Sequence, residues 1–468
     1  MRLTHSHIFR WPLMAALAAL AACASNNQGT GPAGGSTGSG RDPLLSGRAP
    51  DMNQVYQSMG LIAASGPMPF VGNVAFMSTA SADTTLMLLA VSLPATAMNF
   101  QRLNEQYIAT YSVRIELRRG NDIVQQWDAR EVVKVPTFKE TQRTDESVIW
   151  QQYLRVPPGE YSMLVGLKDA NSIRSTAQSV AVDVPRVPVG ALSTPLPVYE
   201  AMARRQIDSL PRLLARPRAS VSFSNDTTLP IYVESAGLRG PIPITATLVA
   251  EGNAVVWRDT STLDPRGGNV GSSTFTIPVR QMGIGVVTLN VTRNGSTDTS
   301  STRLFVTLGE DLPIASFDDM VRYLRYFTTT ERLRQLRATT PVERPQAWAD
   351  FLRATDPIAS TNENEGLREY FNRIRLANVR FRDDALVGWT SDRGIAFVGL
   401  GDPDQIFDTQ GMDPTSRSRQ QIWEYQGDAR LRLVFLDNGG FGRFRLTASN
   451  MAELEAAIRR RIQLTQPR

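Results

Sequence analysis

Residues 389–404 hold the densest set of groups able to do chemistry: Trp389, Ser391, Asp392 and Arg393, then Asp402 and Asp404 on either side of a proline. An indole face stacks sugar rings and carboxylates hydrogen-bond their hydroxyls, so Trp389, Asp392, Arg393, Asp402 and Asp404 could together line a glycan pocket. Glycoside hydrolysis needs only two acids about 5–9.5 Å apart, and the sequence leaves their separation open. Two turn acids also suit calcium, but Asp402-Pro403-Asp404 is a common turn sequence without the ligand series of an EF-hand loop. The alternative account makes the same residues architectural. Trp389 then plugs a helix–sheet junction, Asp392 caps or accepts from backbone N–H groups, and Arg393 pairs with a carboxylate such as Glu365.

Composition removes most other chemistries. The chain has 468 residues but only two histidines, His5 and His7, and one cysteine, Cys23. Both histidines fall in a segment that reads as a removable signal, so the mature chain would carry no imidazole. Ser-His-Asp and Cys-His catalysis, His-ligated zinc and facial-triad iron are excluded with it, and a lone cysteine excludes disulfides. No P-loop and no dinucleotide fingerprint between a strand and a helix is present. No metal and no cofactor is expected. Of the 50 basic residues only Lys134, Lys139 and Lys168 are lysine, and bases are well mixed with the 45 acids. A nucleic-acid groove needs a concentrated basic stripe, so no nucleic-acid partner is expected.

The elements that position the acids begin after Leu312, where the periodicity turns helical. Ser316 and Asp319 form a capping-box pattern ahead of Met320, Leu324 and Phe327. Thr340-Pro341-Val342-Glu343 reads as a second helix start, followed by Trp348, Phe351 and Leu352. Residues 361–381 align Leu367, Phe371, Ile374, Asn378 and Phe381 on one face. Residues 395–398 read as a strand ending in the turn 401–404, with further strands at 422–425, 431–436 and 441–446 and a closing helix at 451–462.

Asn364-Glu365, Arg368-Glu369-Tyr370, Arg373, Ala377-Asn378 and Gly388-Trp389-Thr390-Ser391-Asp392-Arg393-Gly394 resemble the bacterial GWxTD-domain family. So do Gly399-Leu400-Gly401-Asp402-Pro403-Asp404, Ile422-Trp423-Glu424-Tyr425 and Phe441-Gly442. The resemblance runs over about residues 315–446. Ser391 departs from the threonine of the family name but keeps the hydroxyl, and Asp402 stands where many members have proline. The resemblance implies an envelope lipoprotein or secreted protein of unassigned activity, so it adds no reaction. Candidate binding residues are Trp389, Ser391, Asp392, Arg393, Asp402 and Asp404, with Asn364, Glu365 and Arg373 upstream.

Ahead of this module the pattern is strand-like. Leu86 to Val91 is an uninterrupted apolar run, Tyr111 to Leu117 alternates, and Arg119-Gly120-Asn121-Asp122 and Pro157-Pro158-Gly159-Glu160 read as turns. Tyr161 either forms a tyrosine corner or simply packs in a core. Strand candidates continue at 220–223, 230–233, 244–248 and 274–277, with a closing hairpin over residues 286–306. The fold class expected is multidomain: two antiparallel β-sandwich (Ig- or fibronectin-like) domains at 54–186 and 187–311, then a small α+β domain at 312–468.

The N-terminus reads as an address. Arg2 and Arg10 precede a twelve-residue apolar run over 11–22, too short for a ~30 Å hydrocarbon core, so 1–22 reads as a signal peptide. Leu20-Ala21-Ala22-Cys23 resembles a lipobox, which makes Cys23 the acylated N-terminus and, with Ala24 and Ser25 after it, favours the outer membrane. Residues 23–53 form a Gly/Ser-rich tether spanning about 25–30 Å as a flexible coil. The function expected is a membrane-anchored bacterial envelope lipoprotein that binds or scaffolds another envelope or secreted protein, with no catalysis. The alternative is a glycan-binding or carboxylate-dependent glycan-cleaving envelope protein. Oligomeric state is not readable.

Overall fold

A strand with one buried face alternates, whereas a strand buried on both faces does not. That contrast explains the centre of this molecule. The computed structural model describes residues 52–143, 147–223, 226–307, 314, 316–358, 360–361, 364–382, 387–410, 418–427 and 430–465. The signal segment, Cys23 and the tether up to residue 51 lie outside them. The tether's last two residues are helical instead of coil, because α1 (Met52–Ser58) brings Tyr56 against Phe305, rings 6.1 Å apart and edge-on.

The chain continues through β1 (Ile62–Ala64), β2 (Phe70–Ser78), β3 (Thr85–Pro94), β4 (Gln101–Leu103), β5 (Gln106–Arg119), β6 (Asp122–Val135), the short α2 (Phe138–Thr141), β7 (Ser147–Val156), β8 (Gly159–Asp169) and β9 (Ser175–Val184). These make two antiparallel sheets, β1-β2-β3-β7 and β4-β5-β8-β9, with β6 on the other edge of β5. The turn at 157–160 carries the chain from one sheet to the other. Tyr161 closes that corner: its hydroxyl donates to the Pro157 carbonyl at 2.9 Å and accepts from Arg119 Nη2 at 3.0 Å.

The next strands are β10 (Leu196–Met202), β11 (Arg212–Ala215), β12 (Ser220–Ser222), β13 (Thr228–Ala236), β14 (Ile242–Val249), β15 (Val255–Leu263), β16 (Val270–Pro278), β17 (Gly285–Arg293) and β18 (Thr299–Thr307). They form a third sheet, β11-β10-β13-β16, and a fourth, β12-β18-β17-β14-β15. The expected antiparallel character holds except at β12, which pairs parallel to β18.

Three cores join the four sheets in series. Met87, Leu89, Val91 and Leu93 of β3 pack with Tyr111, Val113, Ile115 and Leu117 of β5. The opposite face of β3, Leu86, Leu88 and Ala90, packs with Leu196 and Val198 of β10, Leu213 and Ala215 of β11 and Tyr232 of β13. The other face of β13, Leu229, Ile231 and Val233, packs with the fourth sheet. The uninterrupted apolar run 86–91 thus records a strand with apolar neighbours on both sides.

Polar groups fasten the middle join. The Gln151 side chain on β7 donates to the Leu213 carbonyl and accepts from the Ala215 N–H at 3.2 Å, standing in for a neighbouring strand along β11. Tyr153 donates to the Pro211 carbonyl at 2.9 Å, and burial pushes its hydroxyl pKa up. At the centre Arg204 pairs with Glu234 at 2.6 Å, their side chains 1% and 2% exposed. The same guanidinium donates to the carbonyls of Ser78 at 2.7 Å, Ile207 at 2.7 Å and Ser209 at 3.0 Å, and Glu234 also accepts from the Tyr232 hydroxyl. Arg204 therefore ties β2 of the first sheet to β13 of the third.

The C-terminal module contains α3 (Phe317–Tyr323), α4 (Thr330–Ala338), α5 (Arg344–Thr355), α6 (Glu365–Arg380), α7 (Asp392–Leu400), β19 (Gln405–Gln410), β20 (Arg419–Tyr425), β21 (Leu431–Asp437), β22 (Arg445–Leu446) and α8 (Ala448–Thr465). Its sheet is the meander β19-β20-β21-β22. Ser316 caps α3, accepting from the Asp319 N–H at 3.1 Å as its spacing predicts.

Three expectations are corrected. Residues 395–398 belong to helix α7, not a strand, and the fourth strand of the meander is β19. A four-residue apolar run fits either period, and the Ser391 cap decides it. Helix α5 starts at Arg344, not after Thr340. Pro345 lacks an N–H and is tolerated only in a first turn, so Thr340 and Glu343 instead bond to each other ahead of the helix. The strand expected over 441–446 is only Arg445–Leu446, with Phe441 75% exposed.

Replacing Arg204 by Ala would strand a buried carboxylate and lose the tie to Ser78. Urea unfolding of that variant is expected to show a loss of about 3–5 kcal/mol. Arg114→Ala removes a pair whose side chains are 56% and 52% exposed and should leave the unfolding midpoint where it is.

Candidate functional site

The Gly388–Gly394 motif is a joint between three elements. Gly388 opens a single turn of 3-10 helix, Gly388–Thr390, that abuts α6 so closely that a β-carbon there would sit 2.1 Å from the Ala377 carbonyl oxygen. A β-carbon at Gly394 would lie 1.9 Å from the Gly388 oxygen. Both positions require glycine for space. Asn378, the next residue of α6, accepts from the Trp389 N–H at 3.1 Å.

Ser391 is fully buried and caps α7. Its hydroxyl accepts from the Gly394 N–H at 3.0 Å and donates to the Gly388 carbonyl at 2.7 Å. Asp392 follows in the first turn, where a carboxylate favours the helix dipole. It is 1% exposed, and it accepts from the Leu446 N–H at 2.7 Å and from Arg445 Nη1 at 3.4 Å. One carboxylate thus fastens α7 to β22.

Trp389 is 3% exposed and lies on Tyr323 of α3, ring centroids 4.8 Å apart and 24° from parallel. Tyr326 meets it edge-on at 6.3 Å. Burial, with Asp319 nearby, pushes the Tyr323 hydroxyl up to about 12. The indole face that a sugar would need is taken by Tyr323.

Arg393 lies between two aromatic rings, its guanidinium carbon 4.2 Å from the centre of Phe444 and 5.4 Å from that of Phe381. Such stacking suits a flat, weakly hydrated cation. Phe381 ends α6 and Glu365 begins it, roughly 23 Å apart along the axis, so the suggested Arg393–Glu365 pair does not form. Glu365 is instead held by Thr361, whose hydrogen bond lowers its carboxyl pKa. Asn364 caps α6, accepting from the Leu367 N–H at 2.8 Å and donating to the Leu352 carbonyl at 2.9 Å.

Asp402 and Asp404 lie past the other end of α7, about 13 Å of helix from Asp392. That is beyond the spacing of a glycosidase pair containing Asp392. Asp402 pairs with Arg380 at 3.1 Å, and Asp404 accepts from the Gln426 N–H at 2.6 Å. Arg373 reaches this same end from α6. The nine candidate binding residues therefore fall into three places: Asn364 and Glu365 at the start of α6, residues 389–393 at the joint, and Arg373, Asp402 and Asp404 near Gly401. Among the described residues, no group of three or more His, Cys, Asp or Glu side chains comes together as a metal site.

Sequence reasoning missed three contributors. Tyr425 donates to the Gly401 carbonyl at 3.1 Å, Asp437 holds the Phe441 and Gly442 N–H groups, and Arg461 donates to the Leu400 carbonyl at the end of α7. Tyr425 stood inside a quoted motif. Arg461 sits in the run Arg459-Arg460-Arg461, where nothing in one sequence marks which arginine reaches the end of α7.

Residues 289–438 match the model of the GWxTD domain, so the chain carries that domain. The match starts within β17 and ends just past β21. No curated protein matches the chain. Among solved structures, dimeric latent PorU from Porphyromonas gingivalis is similar at 7% identity and TM-score 0.23, covering 51% of this chain and 20% of that one. A putative beta-galactosidase from Bacteroides fragilis is similar at 9% identity and TM-score 0.15, covering 47% and 32%. The FN1–FN3 domains of chicken CNTN1 give 8% identity and TM-score 0.13, covering 53% and 97%. The chain spans a fifth to a third of the length of the first two.

Two substitutions separate capping from space-filling at the joint. Ser391→Ala should cost about 1 kcal/mol, the usual loss for a helix cap. Gly394→Ala drives a methyl group into the Gly388 carbonyl and should cost more, abolishing the near-ultraviolet circular dichroism of the buried Trp389. A Gly394→Ala variant as stable as wild type would contradict the close approach.

Proposed function

We propose that this GWxTD-domain protein is an envelope lipoprotein that works by holding and docking rather than by catalysis. Two fused β-sandwich domains of immunoglobulin or fibronectin type form a stiff arm. The arm carries the GWxTD module to another envelope or secreted protein. Cys23, as the acylated N-terminus, anchors the chain in the outer membrane, and the Gly/Ser-rich segment behind it sets the arm clear of the headgroups.

The observation that carries this reading is where the motif's polar groups are used. Ser391, Asp392 and Asn378 bond to the module's own backbone, and Arg393 is stacked on its own rings. Groups engaged in this way serve a stable shape, which is what a docking module needs. The module is also braced on the arm. Phe223 meets Trp348 edge-on at 6.3 Å, and Arg344 pairs with Glu251 at 2.6 Å while lying over Phe317. No helix among the described residues is long and apolar enough to cross a membrane, so the lipid is the attachment this reading requires.

In-cell crosslinking and co-purification test the docking claim. Full-length chain should retain an envelope or secreted partner that a chain ending after residue 307 loses. Equal recovery by both chains would place the docking surface on the arm and contradict the role given to the module. Cys23→Ser should move the protein from the membrane to the soluble fraction, and continued membrane retention would remove the lipid anchor from the account.

A further inference from the structure

The first sandwich leaves one long strand edge open. Strand β6 pairs with β5 along its whole length, and among the described residues it pairs with no other strand. The register fixes which of its backbone groups face outward. The Ala170 N–H donates to the Thr110 carbonyl at 2.8 Å, on the continuation of the β5–β8 register. Even-numbered residues of β5 therefore turn their backbone groups to β8, and odd-numbered ones turn theirs to β6. Tyr111, Val113 and Ile115 stand opposite Glu131, Ala129 and Trp127, which are the residues of β6 bonded inward. The N–H and C=O groups of Gln126, Asp128, Arg130, Val132 and Lys134 are left on the outer edge.

Such an edge is a template for a further strand unless something blunts it. The edge of β11 shows what cover looks like, with Gln151 and Tyr153 occupying the outward groups of Leu213, Ala215 and Pro211. Strand β6 has no proline, and its bulge lies beside the hairpin turn, near Arg118. Charged side chains are the remaining guard, and here their order is self-complementary. Asp128 and Arg130 are both exposed, on the same solvent face as Val132, which is 53% exposed. Antiparallel pairing with β6 of a second copy, centred on Ala129, sets Asp128 opposite the second copy's Arg130 on both sides of the axis. The two small Ala129 side chains meet at the axis itself. Centring on Asp128 or on Arg130 would oppose like charges, and centring on Glu131 would set two glutamates face to face, arrangements that destabilise a strand pair. Arg130 gains most from the Ala129 register, because across β5 it faces Ser112. Asp128 faces Arg114, which it binds at 2.7 Å, and a carboxylate has lone pairs for a second guanidinium.

We propose that the outer edge of β6 is a self-association surface, on which a second copy of this chain pairs antiparallel about Ala129. The two copies then share one continuous sheet, related by a two-fold axis. Residues 126–132 of each copy exchange about eight backbone hydrogen bonds across that axis. This goes beyond the docking reading and rests on neither the lipid anchor nor the C-terminal module.

Sedimentation of the full chain carrying Cys23→Ser tests it. A monomer–dimer equilibrium is expected between about 1 and 100 µM, the range of a modest interface. Asp128→Arg and Arg130→Asp, each added to that chain, should both be monomeric, since each sets like charges opposite one another. Mixed in equal amounts they should dimerise again, because every pair across the axis is then Arg against Asp. Circular dichroism checks that each variant keeps its sheets. If Asp128→Arg fails to fold, Val132→Pro, which removes an outward N–H and no bond to β5, should be monomeric in its place. A Cys23→Ser chain that stays monomeric up to about 100 µM overturns the proposal and leaves the edge to a strand from another protein. A dimer that survives in the charge variants, or a mixture no more dimeric than its two parts, overturns it as well.

Discussion

The first sheet has no free face, and much of the molecule follows from that. Its strand β3 packs against β5 with one set of side chains and against β10, β11 and β13 with the other. An apolar face must be covered, because each Å² of apolar surface left in water forgoes about 25 cal/mol. Here the cover for the first pair of sheets is the third sheet, whose own far face supports the fourth. Arg204 and Glu234 sit in this join, and their burial is tolerable because the carbonyls of Ser78, Ile207 and Ser209 and the Tyr232 hydroxyl complete their hydrogen bonds. A charge pair needing that many partners in place fixes the sheets in one arrangement, which is the property a presenting arm would use.

The C-terminal module solves a similar problem with backbone instead of apolar area. Gly388 and Gly394 let α6, the 3-10 turn and α7 approach at distances no β-carbon would permit. Ser391 and Asp392 then satisfy the polar groups that this approach buries, one at the helix start and one on strand β22. Trp389 fills the remaining space against Tyr323. The motif is best understood as one device in which small residues, cap, carboxylate and indole depend on each other. The other end of the same short helix is closed by side chains from outside it, Arg461 on the Leu400 carbonyl and Tyr425 on the Gly401 carbonyl.

The architecture was legible where burial leaves a period in the sequence. The unbroken run at 86–91, the alternation at 111–117, the hairpin of β17 and β18 and the Ser316 cap all read correctly for that reason. Tyr161 was left between two roles because its hydroxyl partner, the Pro157 carbonyl, is a matter of turn geometry. The helix at 392–400 was misread because its apolar residues are buried on every side, so it shows no stripe. Strand β19 was missed because its only apolar residues, Ile406 and Phe407, are adjacent and half exposed. At the candidate site, Asp392 as a backbone acceptor and Trp389 as a plug were foreseeable from residue type. The convergence of Arg373 with Arg461 was not, since it depends on how α6 and α8 are placed in space.

Native-state hydrogen exchange, read by mass spectrometry across β3 and β13, tests the shared join most directly. If the four sheets are one stack, the amides of both strands open with the same free energy, that of global unfolding. Peptides from β1–β9 opening at a distinctly lower free energy, while β13 and β16 stay protected, would mean independent units merely in contact and would contradict the rigid arm.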